Sequence, residues 1–506
     1  MRLFIFAIGG TGSRVLKSLV MLSAAGVRPV DDDGRPVPNF EIVPVIIDPH
    51  KSNEDLKRAE QLLNQYCLVR DKLYGREVNG DGFFANKIST LRQVMGMTST
   101  TINDSFVFNM EAVGQRRFAD FIGYDTMDEP NQALTSLLFA PYQLDNKMNI
   151  GFVGSPNIGS VALNMIKDSD EFKAFANVFN QGDRIFFISS IFGGTGAAGF
   201  PIMVKNIRQA QNLEVSNKEF LRDAPIGGLT VLPYFSLNNS QGKSIDKADF
   251  VVKTQSALQY YNETLTGAND RNVNAIFYLG DQTPSIPYDY DPGNVRDQHD
   301  PAHLVELVGA LAPLKFAGMG NDQFYTAGGG FMPTKAFEYG LDKDVLDVDF
   351  TTFGLETRRA IYKPMVKFHM LYLYLRTAFA GVIGQGFTQD EPKLKSDFVT
   401  TQFYRTLTGP FFDRYTEWLT ELYGNMRHVE LFNAGESDYA GIIHNVVTKK
   451  GFFGRKSVDA NTFTAALNKL SRDNKKYAGR TVEYKLLDLF DQAAGHILDE
   501  RYENIN

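Results

Sequence analysis

Two glycine-rich segments carry the clearest chemistry in this chain. Gly9-Gly10-Thr11-Gly12-Ser13 follows the apolar run 3–8, and Gly193-Gly194-Thr195-Gly196-Ala197-Ala198-Gly199 follows the apolar run 184–189. Each leads into helical periodicity. Glycine permits positive φ and close backbone approach. A helix N-terminus presents N–H donors and the positive end of its dipole, so a glycine turn that opens a helix suits phosphate oxygens. The first segment alone fits a dinucleotide fingerprint or a bare strand–helix turn equally well; the second is far more specific.

Other residues with suggestive spacing carry less. Gly242-Lys243-Ser244 imitates the end of a P-loop, but Leu237 stands where that motif needs its first glycine. His299 and His303 have metal-ligand spacing, yet Pro301 keeps them off one helical face, so no metal pair is expected. The sequence contains no G-x-S-x-G, H-E-x-x-H or C-x-x-C.

The elements that must position the two loops read as a layered α/β fold. Strands are expected at 3–8, 42–47, 150–153, 184–189, 229–235 and 275–279, as continuous apolar runs of the kind buried on both faces by helices. The polar stretches 31–39 and 281–299 read as loops. Asp300-Pro301 reads as a helix start with Asp300 as N-cap, followed by an apolar face of Leu304, Leu307, Val308 and Leu311. From about residue 360 the pattern is mainly helical.

Bulk properties set the frame. A chain of 506 residues, 43% hydrophobic and 22% charged, suggests a globular protein of two or three domains. The net charge of −7 argues against wholesale nucleic-acid or membrane binding. Cys67 is the single cysteine, which excludes an internal disulfide and fits a reducing, cytoplasmic setting. The opening apolar run spans about six residues, too short for a signal h-region. The apolar stretch 368–384 is interrupted by Arg376 and falls short of the roughly 20 apolar residues of a membrane span.

The second glycine segment resembles the phosphate-binding signature GGGTG(S/T)G of the tubulin/FtsZ superfamily, with Phe192 in place of the first glycine. The likeness covers about residues 1–320. It implies a tubulin/FtsZ-like, Rossmannoid α/β nucleotide-binding domain over 1–299, a long central helix over 300–320 and a mainly helical C-terminal domain over 321–506. It implies GTP or GDP with Mg²⁺, held by Gly9, Gly10, Thr11, Gly12 and Ser13 in the first loop and by Gly193, Gly194, Thr195, Gly196 and Ala197 in the second. Asp48, after the second strand, stands where the family has an acidic residue near the nucleotide's metal. Gln115 and Arg116 resemble the start of the helix after the third nucleotide loop, and Tyr261 and Asn262 lie where the base is recognised.

In that family an acidic loop of the next subunit completes hydrolysis. Asp347-Val348-Asp349-Phe350-Thr351-Thr352-Phe353 is similar to the NVDFADV loop of FtsZ, with Thr352 on its second acid. The resemblance makes Asp349 the candidate catalytic carboxylate and implies self-association with slow or assembly-dependent hydrolysis. The helical C-terminal region departs from FtsZ and is closer to divergent bacterial tubulin-like proteins. Two other readings stay open: a non-hydrolysing nucleotide-sensing module of a bacterial multi-protein system such as defence, and an NAD(P)-binding oxidoreductase that rests on the first loop alone. Segment 449–480 has nine Lys/Arg against Asp459 and Asp473, which is either a solvated face or a dock for an acidic partner or sister subunit.

Overall fold

The run Leu3-Phe4-Ile5-Phe6-Ala7-Ile8 has no polar side chain to leave in water, and the chain buries it completely as the middle of a parallel sheet. The computed structural model describes all residues except 97–101, 111–112, 114–115, 153, 236, 239–246, 268–270, 282–287, 290–298, 434–437, 440, 446–457, 473 and 502–506. The main sheet consists of β1 (Arg2–Ile8), β2 (Glu41–Ile47), β3 (Lys87–Ile88), β4 (Arg184–Ser190), β5 (Ile226–Val231), β6 (Ala275–Leu279) and β7 (Lys335–Tyr339). All neighbours pair in parallel, in the order β3-β2-β1-β4-β5-β6-β7. The order reverses between β1 and β4, the position where open α/β sheets part to form a ligand crevice.

Helices cover both faces. On one, Phe187 of β4 packs on Phe200 of the helix Gly194–Arg208, at 5.2 Å between ring centroids. On the other, Phe186 meets Phe316 at 5.5 Å. The protein is therefore an α/β fold with a doubly wound parallel sheet. No helix among the described residues is long and apolar enough to cross a membrane.

Four expected strands, 3–8, 42–47, 184–189 and 275–279, lie within β1, β2, β4 and β6. The expected strand 229–235 begins earlier and ends at Val231. The one expected at 150–153 does not form: Met148–Ile150 is a 3-10 turn and Gly151 has φ 85°, while Val153 lies outside the described residues. β7 had no apolar run to announce it, because Lys335 to Tyr339 alternates half-buried with exposed residues, as an edge strand can.

The stretch 300–320 corrects a further expectation. In place of one long helix it holds two short ones, Leu304–Gly309 and Leu311–Gly318. Asp300 does not cap them, because its carboxylate is drawn to Arg14 at 2.8 Å. His303 caps instead: Val305 N donates to His303 Nδ1 at 3.1 Å, and His303 N donates to Glu306 Oε2 at 3.1 Å. Burial depresses the His303 pKa to about 4, which keeps the ring neutral and able to accept.

Residues 321–506 are mainly helical, yet they also contribute β7 and a short parallel pair, Asp347–Val348 with His428–Val429. Their apolar side chains continue the core of the sheet domain; Phe411 and Phe368 pack on Phe84 at 5.2 and 6.0 Å. A buried ion pair fastens the join. Arg427 donates to both oxygens of Asp281, just after β6, at 2.8 and 2.9 Å. Arg427→Met is expected to lower unfolding free energy by about 3–5 kcal/mol, since it strands a buried carboxylate. Urea denaturation checks this; a loss under about 1 kcal/mol would put the pair in the class of surface bridges.

Candidate functional site

The two glycine loops meet at the reversal of strand order. β1 runs directly into the helix Gly9–Ala24, with Gly9 at φ 74°, a conformation that favours glycine. β4 leads through Ile191-Phe192-Gly193 into Gly194–Arg208. A Cβ on Gly9 would lie 3.7 Å from Thr195 Cβ and 3.9 Å from Gly196 N, so the loops are in contact. Neither helix start is capped by a side chain. Their first-turn amides thus begin side by side without a side-chain acceptor of that kind.

The glycines divide into two roles. A Cβ on Gly12 would come within 2.6 Å of Ala7 C, and one on Gly196 within 2.8 Å of Ser190 O. These two glycines let helices close onto strands. Gly10 has room, its nearest atom at 3.5 Å, and Gly10, Gly193 and Thr195 remain half-exposed at the mouth. Thr11 and Ser13 are buried; the Ser13 hydroxyl donates to Gly9 O at 3.4 Å. Gly154 and Ser155 add a further wall, their backbone N atoms each 3.1 Å from where a Gly194 Cβ would stand. Lys253 Nζ, on the helix Lys247–Thr264, donates to Gly154 O at 3.0 Å. That cation beside the second loop gave no sign in the sequence.

Asp48 lies at the same edge, since Ile47 pairs with Ile8 and both strands leave the sheet together. It is buried and accepts from His50 N at 2.9 Å. Burial pushes its pKa up to about 7, with Asp55 adding to the rise.

Around Gly10 stands a buried network that sequence reading missed. Arg14 reaches Asp55 at 2.7 Å, Asp300 at 2.8 Å and Glu306 at 2.6 Å, and donates to the Tyr234 hydroxyl at 2.8 Å. Burial, offset in part by Arg14, holds Asp55 and Asp300 above the usual carboxylate range. The one available signal was Arg14 itself, because a charged residue inside the apolar pattern of its helix demands buried partners. His299 does not pair with His303; it gathers with Glu417 and Glu421 within 4.8 Å. Lys17 and Arg58 already occupy the Glu421 oxygens.

The remaining expected residues are dispersed. Tyr261 is fully buried behind the second loop, donating to Ala197 O at 3.2 Å with its ring 5.6 Å from Phe200, and Asn262 is exposed. Arg116 is exposed, and Gln115 lies outside the described residues. Asp349 accepts from Thr351 N and Oγ1 at 2.7 and 2.6 Å and from Asn445 Nδ2 at 2.7 Å. Burial would raise its pKa, but these bonds hold it below the usual range. In the basic segment 449–480, Lys469, Arg472, Lys475, Lys476 and Arg480 are exposed, with Lys476 and Arg480 paired to Asp488 and Glu77. Its residues 449–457 and 473, like 242–244, lie outside the described residues. No protein-family model matches this chain, and no curated protein matches it.

Proposed function

We propose that this protein binds a purine nucleotide, GTP with Mg²⁺, between its two glycine loops, as a divergent relative of the tubulin/FtsZ superfamily. The observation that carries the reading is the close approach of Gly9 to Thr195 and Gly196 at the reversal of strand order, where two helices without side-chain caps begin next to one another. Lys253 supports it as a cation beside the second loop. Asp48 is a hard oxygen donor near the first loop, the donor type that Mg²⁺ takes. When bound, Mg²⁺ supplies neutralisation of phosphate charge; the chain's own task is to orient the phosphates on backbone amides.

Self-association is supported by exposed apolar side chains. Leu134, Leu137, Leu138 and Tyr142 are 54%, 85%, 62% and 72% exposed. Asp349 is the candidate base contributed to a neighbour's nucleotide, and Lys469, Arg472 and Lys475 are the candidate cations for an acidic partner. The engaged Asp349 carboxylate favours slow hydrolysis, and equally a module that binds GTP without turnover. The strand order is also that of dinucleotide-binding folds, which keeps NAD(P) as the ligand to exclude.

Gly10→Ala tests the reading with little risk to the fold, because its Cβ meets nothing closer than 3.5 Å. Calorimetry should show GTP–Mg²⁺ binding by the wild type, and affinity about tenfold weaker in the variant, or about 1.4 kcal/mol. Far-UV circular dichroism should be unchanged. Binding of NAD rather than GTP, or full GTP affinity in the variant, would overturn the assignment.

A further inference from the structure

We infer that Glu421 is a positioning residue for the glycine-loop crevice, and that the helix Phe412–Tyr423 is a strap that couples the C-terminal region to whatever binds there. The inference rests on the nucleotide reading and adds a regulatory element to it. The Glu421 carboxylate joins three separate pieces of chain. Oε2 accepts from Lys17 Nζ at 2.7 Å and from Ala302 N at 2.9 Å, and Oε1 accepts from Arg58 Nη2. Lys17 lies on the helix that opens at Gly9, Arg58 on the helix Glu54–Tyr74, and Ala302 in the segment between Asp300 and the His303 cap. These same three pieces supply Arg14, Asp55 and Asp300 beside Gly10.

Trp418 on the strap and Asn425 just beyond its end reinforce the grip. Trp418 is fully buried and donates from Nε1 to Ser18 Oγ at 3.1 Å, while Asn425 donates to Ala302 O at 2.6 Å. Trp418 and Glu421 lie three apart on one face of the helix and Asn425 follows just past its end, so this end of the strap holds both the first-loop helix and the Asp300 segment. Lys17 and Ser18 stand about two turns beyond Gly9. A hydrogen-bonded helix transmits displacement along its axis, so a ligand that draws in its first turn loads the contacts with Glu421 and Trp418. By reciprocity, a strap that binds more loosely weakens the ligand by the same factor.

The protein carries its own reporter, since Trp418 is the single tryptophan of the chain. The experiment titrates the full chain with GTP–Mg²⁺ and follows calorimetric heat and Trp418 emission together, in the wild type, Glu421→Gln and Ser18→Ala. In the wild type, emission should change with the same midpoint as the heat. Glu421→Gln should weaken binding about tenfold, within the usual range of site-to-site coupling, and shrink the emission change. Ser18→Ala removes one hydrogen bond from the reporter and leaves Glu421 intact; it should keep most of the affinity and lose most of the emission change. Heat without any emission change in the wild type, together with unaltered affinity in Glu421→Gln, would overturn the strap and leave the nucleotide reading standing. No heat in the wild type would overturn the nucleotide reading, and the strap with it.

Discussion

Arg14→Met is expected to destabilise the protein by about 3–5 kcal/mol at pH 8 and by distinctly less at pH 5. Methionine keeps most of the volume, so the loss is electrostatic. Arg14 is the shared partner of Asp55, Asp300 and Glu306, each within 2.8 Å of its guanidinium and each buried or nearly so. Without it three carboxyls confront one another in a poorly solvated space, and ionising them becomes harder. The folded pKa values of Asp55 and Asp300 then rise further above the ordinary values of about 4. A raised folded pKa contributes stability that is present below the unfolded value and lost as pH rises through the folded one. Burial already holds Asp55 and Asp300 high in the wild type, so the window runs from about pH 4 upward into the neutral range. Urea unfolding of both proteins at the two pH values checks this. An equal deficit at both would mean that the carboxyls find other cations once Arg14 is gone.

Asp48→Asn should act with the opposite sign. Its carboxyl titrates at about 7 in the fold because burial disfavours the anion. At pH 8 the folded protein carries a buried carboxylate that the unfolded chain would carry in water. Asparagine removes that penalty and retains an oxygen for the His50 N–H. The stabilising effect of the substitution should therefore grow by about 2.6 kcal/mol between pH 5 and pH 8, close to 1.4 kcal/mol for each of the two pH units below the folded pKa. The same change removes an anionic oxygen beside the first glycine loop, so GTP affinity in the presence of Mg²⁺ should fall while thermal stability rises. A Tm increase that is identical at both pH values would mean that Asp48 is ionised throughout, held by a cation.

Much of the frame was legible in the residues. Continuous apolar runs announced β1, β2, β4 and β6, because a strand buried on both faces has no polar position to disguise it. The glycine segments announced themselves for a similar reason, since a chain that turns at once from strand into helix admits few other residues. Both loops sit where that reading put them, one after β1 and one after β4.

What the one-dimensional pattern could not contain is anything that depends on distant partners. That the two loops touch follows from β4 pairing with β1 in place of β3, a choice made by the whole sheet. Asp300 looked like a helix cap because capping is a local preference worth about 1 kcal/mol. An ion pair with Arg14, 286 residues away, outweighed it. The resemblance set Tyr261 where a base is recognised, and packing on Phe200 turns its side chain into the core. β7 escaped notice because an edge strand needs only one buried face. Composition and local geometry were enough to specify the layered α/β architecture and the two glycine turns between strand and helix. Which glycines keep room around them, which close helix onto strand, and which acids surround Arg14 were settled by long-range packing. Those outcomes depend on atoms brought within about 3 Å by parts of the chain that know nothing of each other until it folds.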